Sequence, residues 1–268
     1  MPPAPPTTRE EFARLLACTR LFRGLDAARA RALAEHASVH RLRQGAPLWR
    51  EGQRAEHFHV VLRGVLELQR VVPGADTNLV AWFGPGESPG VPAALERARY
   101  VATSYAAAPI VEVLRVRAEP VLEALPSDPA LAFAMNRALL DHCRLLHAKI
   151  DVLAAGTVPR RLAALFVDLA ERFGDEMEDG STFVPLVLSR AQIATYVGAR
   201  VETVIRCCTG WDRAGLLAKR TNGFAIPCLT ALEAIARGDD GALEACRVTC
   251  LPAPCRDDHA PRPDAIRH

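Results

Sequence analysis

The sequence contains no apolar run approaching the roughly 18 residues that would mark a membrane-spanning helix. Its first residues, MPPAPPTTREEF, lack the apolar core and basic flank of a secretory signal. Both absences predict a soluble, cytosolic chain. Neither sign of charge is in excess: 33 Lys and Arg stand against 31 Asp and Glu, a formal net charge of +2. Only a local concentration of charge could therefore mark a nucleic-acid surface. There is no internal repeat, no P-loop, no Ser-His-Asp grouping and no carboxylate pair with supporting context, so the usual enzyme signatures are missing. Eight cysteines are present. In a cytosolic protein they read as buried thiols, metal ligands or redox sensors before structural disulfides.

With 268 residues, half of them hydrophobic, the chain is expected to split into two domains, because single cores stop growing near this size. EEFARLLA and ARARALAEHA carry apolar residues at helical spacing. From Val39 to about Val116 the period changes. Short apolar runs (APLW, HFHVVL, VLELQRVV, NLVAWF, PIVEVLRV) alternate with EGQ, RG, PGAD, GPGESPG and AAAP, which predicts a β-roll or barrel of about eighty residues. A long helix follows Pro129. Leu131, Met135, Leu139, His142, Leu146 and Leu153 form one stripe, and Leu140, Cys143, His147 and Ile150 a second. One side is expected to cover the roll and the other to meet a second copy of the chain; a core helix of a monomer is the alternative.

Past Gly156, TVPRRLAALFVDLAERFGD reads as an amphipathic helix, FVPLVL as a short strand, and SRAQIATYVG and ARVETVIRCCTGWDRAG as two helices with Gly198 at the turn. GLLAKRTNGFAIP adds a hairpin. Helix, turn, helix and β-wing in this order describe a winged helix-turn-helix. The expected class is α+β: a tail and helix over 1–20, a sensory β-roll over 21–127, a dimerisation helix over 128–156, the DNA-binding domain over 157–238, and a Cys- and Pro-rich tail over 239–268.

Ser189 with Gln192 three residues later is a capping box. In the second helix Val201, Val204, Cys208 and Trp211 share one side, and Glu202 and Arg206 lie one turn apart on another. A carboxylate accepts from cytosine N4 and a guanidinium grips guanine O6 and N7, so the base-reading set is Val201, Glu202, Ile205 and Arg206. Phosphate contacts are expected from Ser189, Arg190, Arg200, Thr203, Arg213, Lys219 and Arg220. Residues 189 to 220 hold six basic groups against Glu202 and Asp212, where phosphates would lie. The plain alternative is an i, i+4 surface ion pair between Glu202 and Arg206, worth about 0.3–0.5 kcal/mol.

On SRAQIATYVG, VETVIR, GLLAKRTNGFAI and AEHFHVVLRGVLEL, the chain over about 20–238 resembles a Crp/Fnr-type bacterial transcription regulator. The resemblance implies a homodimer acting with RNA polymerase on double-stranded DNA. Two recognition helices would then enter successive major grooves of a pseudo-palindromic site. VETVIR is similar to the Fnr branch, whereas the cyclic-AMP branch has Arg at the place of Val201. Ile205 departs from the Fnr-like serine; it could touch a thymine methyl but not hydrogen-bond.

In the family, cyclic nucleotide is held by a glutamate on the ribose and an arginine on the phosphate. Here Gly86 and Gly90 match the loop glycines, Val91 falls at the glutamate position, and Ala98 or Arg99 at the arginine. Arg97 or Arg99 could still reach a phosphate. The missing carboxylate argues against cyclic nucleotide and for a different signal, although a small effector in the roll stays open. His57 and His59 form an HxH on one face of a strand, as in metal-dependent cupin enzymes, which is the enzyme alternative. No third histidine follows in the neighbouring strands, so strand packing is the expected role.

Only Cys18 lies where Fnr-type sensors hold N-terminal cluster cysteines. One branch of the family places three cysteines in a C-terminal tail, spaced x2 then x4, and completes an iron–sulfur cluster with an aspartate of the dimerisation helix. This chain has Cys246-x3-Cys250-x4-Cys255 and Asp141, so the resemblance implies a 4Fe–4S cluster, with Cys143 or His259 as alternative fourth ligands. His259 also permits a Cys3His zinc site; spare thiols with no metal are the remaining reading.

Overall fold

A computed structural model describes residues 8–71 and 78–239. Helix α1 (Arg9–Cys18) starts at Thr8, whose hydroxyl accepts from the Glu11 amide at 3.2 Å while the Glu11 carboxylate accepts from the Thr8 amide at 2.9 Å. Helix α2 (Ala27–Ala34) is capped by Asp26. Together they close one end of a roll of two antiparallel sheets. The first is β1 (Ala37–Arg43), β7 (Ile110–Arg117) and β3 (His57–Arg63) in that order. The second runs β2 (Pro47–Trp49), β6 (Thr103–Ala106), β4 (Leu66–Arg70), β5 (Asn78–Phe83). Helix α3 (Val91–Leu95) interrupts the second sheet and α4 (Ala118–Ala124) follows the first.

Helix α5 (Pro129–Ala154) begins where Asp128 accepts from the Leu131 amide and Pro129 occupies the first turn, where no amide is needed. Its two apolar stripes divide differently from the sequence expectation. Leu131, Ala134, Met135, Leu145 and Val152 are buried against the body, whereas Leu146 and Leu153 stand exposed with Phe133, Leu140 and Ile150. The roll-facing side therefore continues through Leu145 and Val152. The second stripe is the uncovered one, with Cys143 and His147 on it.

Helix α6 (Val158–Phe173) buries Leu162, Leu165, Phe166 and Leu169 at 3–4 spacing. Two short strands follow, β8 (Asp175–Glu176) and β9 (Thr182–Val184), then α7 (Arg190–Val197), α8 (Val201–Arg213), β10 (Ala218–Arg220), β11 (Gly223–Ile226) and α9 (Leu229–Arg237). The stretch expected as one strand, FVPLVL, is β-structure only as far as Val184. Pro185 has no amide to extend the ladder. In the sheet of order β10-β11-β9-β8, Gly223 passes so close to Val184 that a Cβ there would collide with its carbonyl oxygen.

The core of the winged domain extends into the roll: Val65, Leu79 and Trp82 pack in one cluster with Phe166, Tyr196 and Val204. Trp82 and Tyr196 stack at 4.8 Å. Lys149 of α5 sits 4.6 Å over the Tyr196 ring and donates to the Leu79 carbonyl; burial pushes its ammonium down to about 8. Gln192 of α7 donates to the buried Glu67 at 2.5 Å. Arg172 at the end of α6 donates to the Trp82 carbonyl at 2.6 Å and pairs with Glu87 and Asp168. The winged unit is thus held to the roll by polar bonds as well as apolar packing.

Candidate nucleic-acid interface

The reading helix is set by local chemistry. The Ser189 hydroxyl accepts from the Gln192 amide at 3.1 Å and the Gln192 side chain accepts from the Ser189 amide at 2.9 Å, so both halves of the capping box form. Gly198 ends α7 in the left-handed region, φ 62°, a conformation that costs other residues. The exposed end of α7 has a partner that local sequence does not reveal. Arg161 of α6 donates to the Val197 and Gly198 carbonyls at 2.7 and 3.1 Å, closing the turn from 36 residues away.

In α8 Val204 and Cys208 are fully buried, and Trp211 leans edge-on against Phe166 at 6.2 Å. That anchors one side and leaves Val201, Glu202, Ile205 and Arg206 exposed on the other. Val201, expected on the anchored side, is 37% exposed and lies at the helix start. No ion pair joins Glu202 to Arg206 among the described residues, so both heads are available. Arg200 precedes α8 and is exposed, as are Arg213 and the wing residues Lys219 and Arg220. Ser189 is exposed at its cap, and Thr203 is half-buried with its amide bonded to the Arg200 carbonyl. Arg190 is half-buried beside the Cys208 thiol, which burial pushes up.

Two sequence models match. A cyclic nucleotide-binding domain matches residues 39–128 and a Crp-like helix-turn-helix domain residues 160–235. The chain belongs to the Crp/Fnr family of transcription regulators. Among its relatives is the nitrogen fixation regulation protein FixK of Azorhizobium caulinodans, 28% identical over 177 residues, covering 65% of this chain and 69% of the relative. A CRP-like cAMP-activated global transcriptional regulator of Mycobacterium tuberculosis is 25% identical over 203 residues, 75% of this chain and 89% of that one. The structure of FixK2 from Bradyrhizobium japonicum superposes with a TM-score of 0.64 at 19% identity, covering 74% of this chain and 96% of that one, a likeness of fold. This Crp/Fnr protein is therefore a DNA-binding regulator and not an enzyme.

In the roll, the residues at the expected nucleotide positions are placed as follows. Val91 is 1% exposed at the start of α3 and packs in the apolar core. Arg99 donates to the Gly52 carbonyl at 2.6 Å. Trp49 and Tyr100 stack at 4.2 Å, with the buried His59 ring 5.0 Å from Trp49. The HxH pair has a guanidinium beside it. His57 and His59 do share a face, their rings 6.1 Å apart, but the Arg115 guanidinium lies among them, 2.6 Å from His40 Nδ1 and 3.3 Å from His57 Nε2. A fixed cation repels a second one. Among the described residues no group of three or more His, Cys, Asp or Glu is placed to hold a metal.

These imidazoles give the family member a pH signature. Burial first and the Arg115 charge second push His40, His57 and His59 below the ordinary imidazole range; Arg117 acts in the same direction on His57 and Glu56 against it. A depressed histidine binds fewer protons folded than unfolded, so the stability is present above about pH 6.5 and is lost as the pH falls through the folded value. The melting temperature is expected to drop between pH 7.5 and 5.5, and to drop less in His59→Phe, measured by differential scanning fluorimetry. A variant with the parental slope would exclude this origin.

Asp141 lies in a cleft beside α5, 37% exposed, with Arg144 at 2.8 Å and Arg20 at 3.4 Å. Cys143 is on the uncovered stripe instead, so the two alternative ligands of α5 face different surroundings. Cys246, Cys250, Cys255 and His259 lie outside the described residues. No helix among those described is long and apolar enough to cross a membrane.

Proposed function

We propose that this regulator works as a homodimer on a pseudo-palindromic DNA site, recruiting or blocking RNA polymerase there, and that its C-terminal cysteines make it respond to oxygen or redox state. The observation that carries the DNA reading is the exposed strip Val201, Glu202, Ile205 and Arg206, rooted by the buried Val204 and Cys208. Val201 and Ile205 would meet thymine methyls while Glu202 and Arg206 take base-edge hydrogen bonds; Arg200, Arg213, Lys219 and Arg220 would hold phosphates. Arg190, Ser189 and Thr203 sit at the rim and would orient the domain.

The second copy is supported by α5. Phe133, Leu140 and Ile150 stand 65%, 56% and 59% exposed on one helical stripe with Cys143 and His147, a seam at coiled-coil spacing with nothing covering it among the described residues. A partner helix would bury it and set the two reading heads about 34 Å apart.

For the signal, Cys246, Cys250 and Cys255 with Asp141 would hold a 4Fe–4S cluster. The donor set of thiolates and one carboxylate suits iron, and Asp141 is open enough to be reached once Arg20 and Arg144 release it. When bound, such a cluster supplies an oxidant-labile link between the tail and α5. Zinc on the three cysteines and His259 is the competing reading. The test is anaerobic purification of the full chain. A brown dimer containing iron and sulfide, which becomes colourless and iron-free in Cys246→Ser, Cys250→Ser and Cys255→Ser, supports the cluster; a colourless, iron-free parent excludes it. Selective binding of a palindrome by a dimer in ultracentrifugation tests the remainder.

A further inference from the structure

The cleft that contains Asp141 has a volume of about 550 Å³, within the size range of small-molecule sites. Three parts of the protein meet there: Phe83 to Ser88 of the roll, α5, and Asp168 with Arg172 at the end of α6. The buried Val91 and the stacked Trp49 and Tyr100 of the roll do not line it.

Its charges do not cancel. Five arginines line it, Arg20, Arg23, Arg137, Arg144 and Arg172, against Glu87, Asp141 and Asp168. The acids are all engaged: Glu87 and Asp168 by Arg172, Asp141 by Arg144 and Arg20. Arg23 and Arg137 form no ion pair or hydrogen bond among the described residues, and both are exposed at the cleft. His142 lines the same space, its Nδ1 buried and without a partner among the described residues. The rest of the wall is apolar, from Leu21, Phe83, Phe133 and Leu145. Two unmatched guanidinium groups, one unsatisfied imidazole nitrogen and a hydrocarbon wall define a complementary ligand.

We propose that this cleft binds a small amphipathic dianion, an apolar body carrying either a phosphate monoester or two carboxylates. The anionic head takes Arg23 and Arg137, His142 meets a polar atom of the ligand, and the body lies against Phe83 and Leu145, both off the α5 seam. Because Glu87, Arg172 and Asp168 join roll to winged domain at the same cleft, a ligand there interacts differently with different placements of the reading head and so shifts their populations. Asp141, the fourth ligand of the proposed cluster, lines the same cleft, so the titration below is run on the iron-free chain.

Calorimetric titration of the full chain tests this with four probes: 1-naphthyl phosphate, phenylsuccinate, inorganic phosphate and 1-naphthol. We expect naphthyl phosphate or phenylsuccinate to bind with a Kd below about 1 mM, and the one that binds identifies the head group. Inorganic phosphate and naphthol, each holding half the chemistry, bind at least about tenfold more weakly. The double variant Arg23→Ala, Arg137→Ala removes two exposed, unpaired side chains, so it folds, and it weakens binding at least about tenfold. Binding of neither amphipathic anion, or an unchanged Kd in the double variant, overturns the proposal. So does loss of binding in Arg99→Ala instead, which would place the ligand in the roll. Palindrome affinity of the ligand-free double variant is measured alongside: retained DNA binding without anion binding fails this site alone, and the reverse fails the DNA reading alone.

Discussion

Replacing Arg206 with alanine leaves the protein folded and removes its preference between DNA sequences. Arg206 is exposed on α8 and has no ion pair among the described residues, so its loss changes stability by no more than about 0.5 kcal/mol. Bidentate recognition of one guanine edge is worth about 1–3 kcal/mol. On a two-fold site the loss counts once per half-site, which reduces discrimination between operator and random duplex by roughly two to four decades. Lys219→Ala or Arg220→Ala should behave otherwise. Those wing residues would contact phosphate, so affinity falls for every sequence alike and the salt dependence flattens by about one counterion. Fluorescence anisotropy at several salt concentrations, with operator and scrambled duplexes, separates the two patterns. Selectivity surviving in Arg206→Ala would refute the assigned role; a uniform loss would move Arg206 to the phosphate set.

Trp82→Ala is expected to have the largest effect on stability. The side chain is 0% exposed, belongs to the cluster that runs from the roll into the winged domain, and stacks on Tyr196. Truncating a buried tryptophan costs about 3–5 kcal/mol, of which the stack contributes about 0.5–1.5 kcal/mol. Removal also strips the ring on which Tyr196 of α7 rests, leaving Val65, Leu79, Gln192 to Glu67 and the Arg172 bonds to hold the two units. Calorimetry should show the parental transition move down and split into two. Trp82→Phe keeps a ring in the stack and deletes an indole N–H that has no partner among the described residues, so it should recover most of the loss. A single unsplit transition in Trp82→Ala would mean that the remaining contacts couple the domains without the indole.

Features written in neighbouring residues are legible in the sequence. The Ser189 and Gln192 capping box forms as expected because its atoms lie within one turn. Gly198 marks its turn because few other residues tolerate that backbone. Alternation and turn residues are enough to predict the roll, and the face of α8 follows from the spacing of Val204 and Cys208. Helix α5 is legible only in part. Its sequence is apolar around most of its circumference, so either Leu145 or Leu146 could face inward, and only packing against the roll and the winged domain selects Leu145 and Val152.

What the sequence by itself determined is the order of parts and the local chemistry of each: a roll, a long helix, and a capped reading helix with its basic rim. The tertiary structure alone decided how those parts meet. Gln192 reaches Glu67 across 125 residues, Arg172 reaches Glu87 across 85, and Arg115 enters between histidines from two strands. Arg20 and Arg23 come to face Arg137 across the cleft. No local preference encodes such encounters. They arise because burying apolar area brings distant segments together, and each buried polar group must then find its partner among whatever the fold delivers.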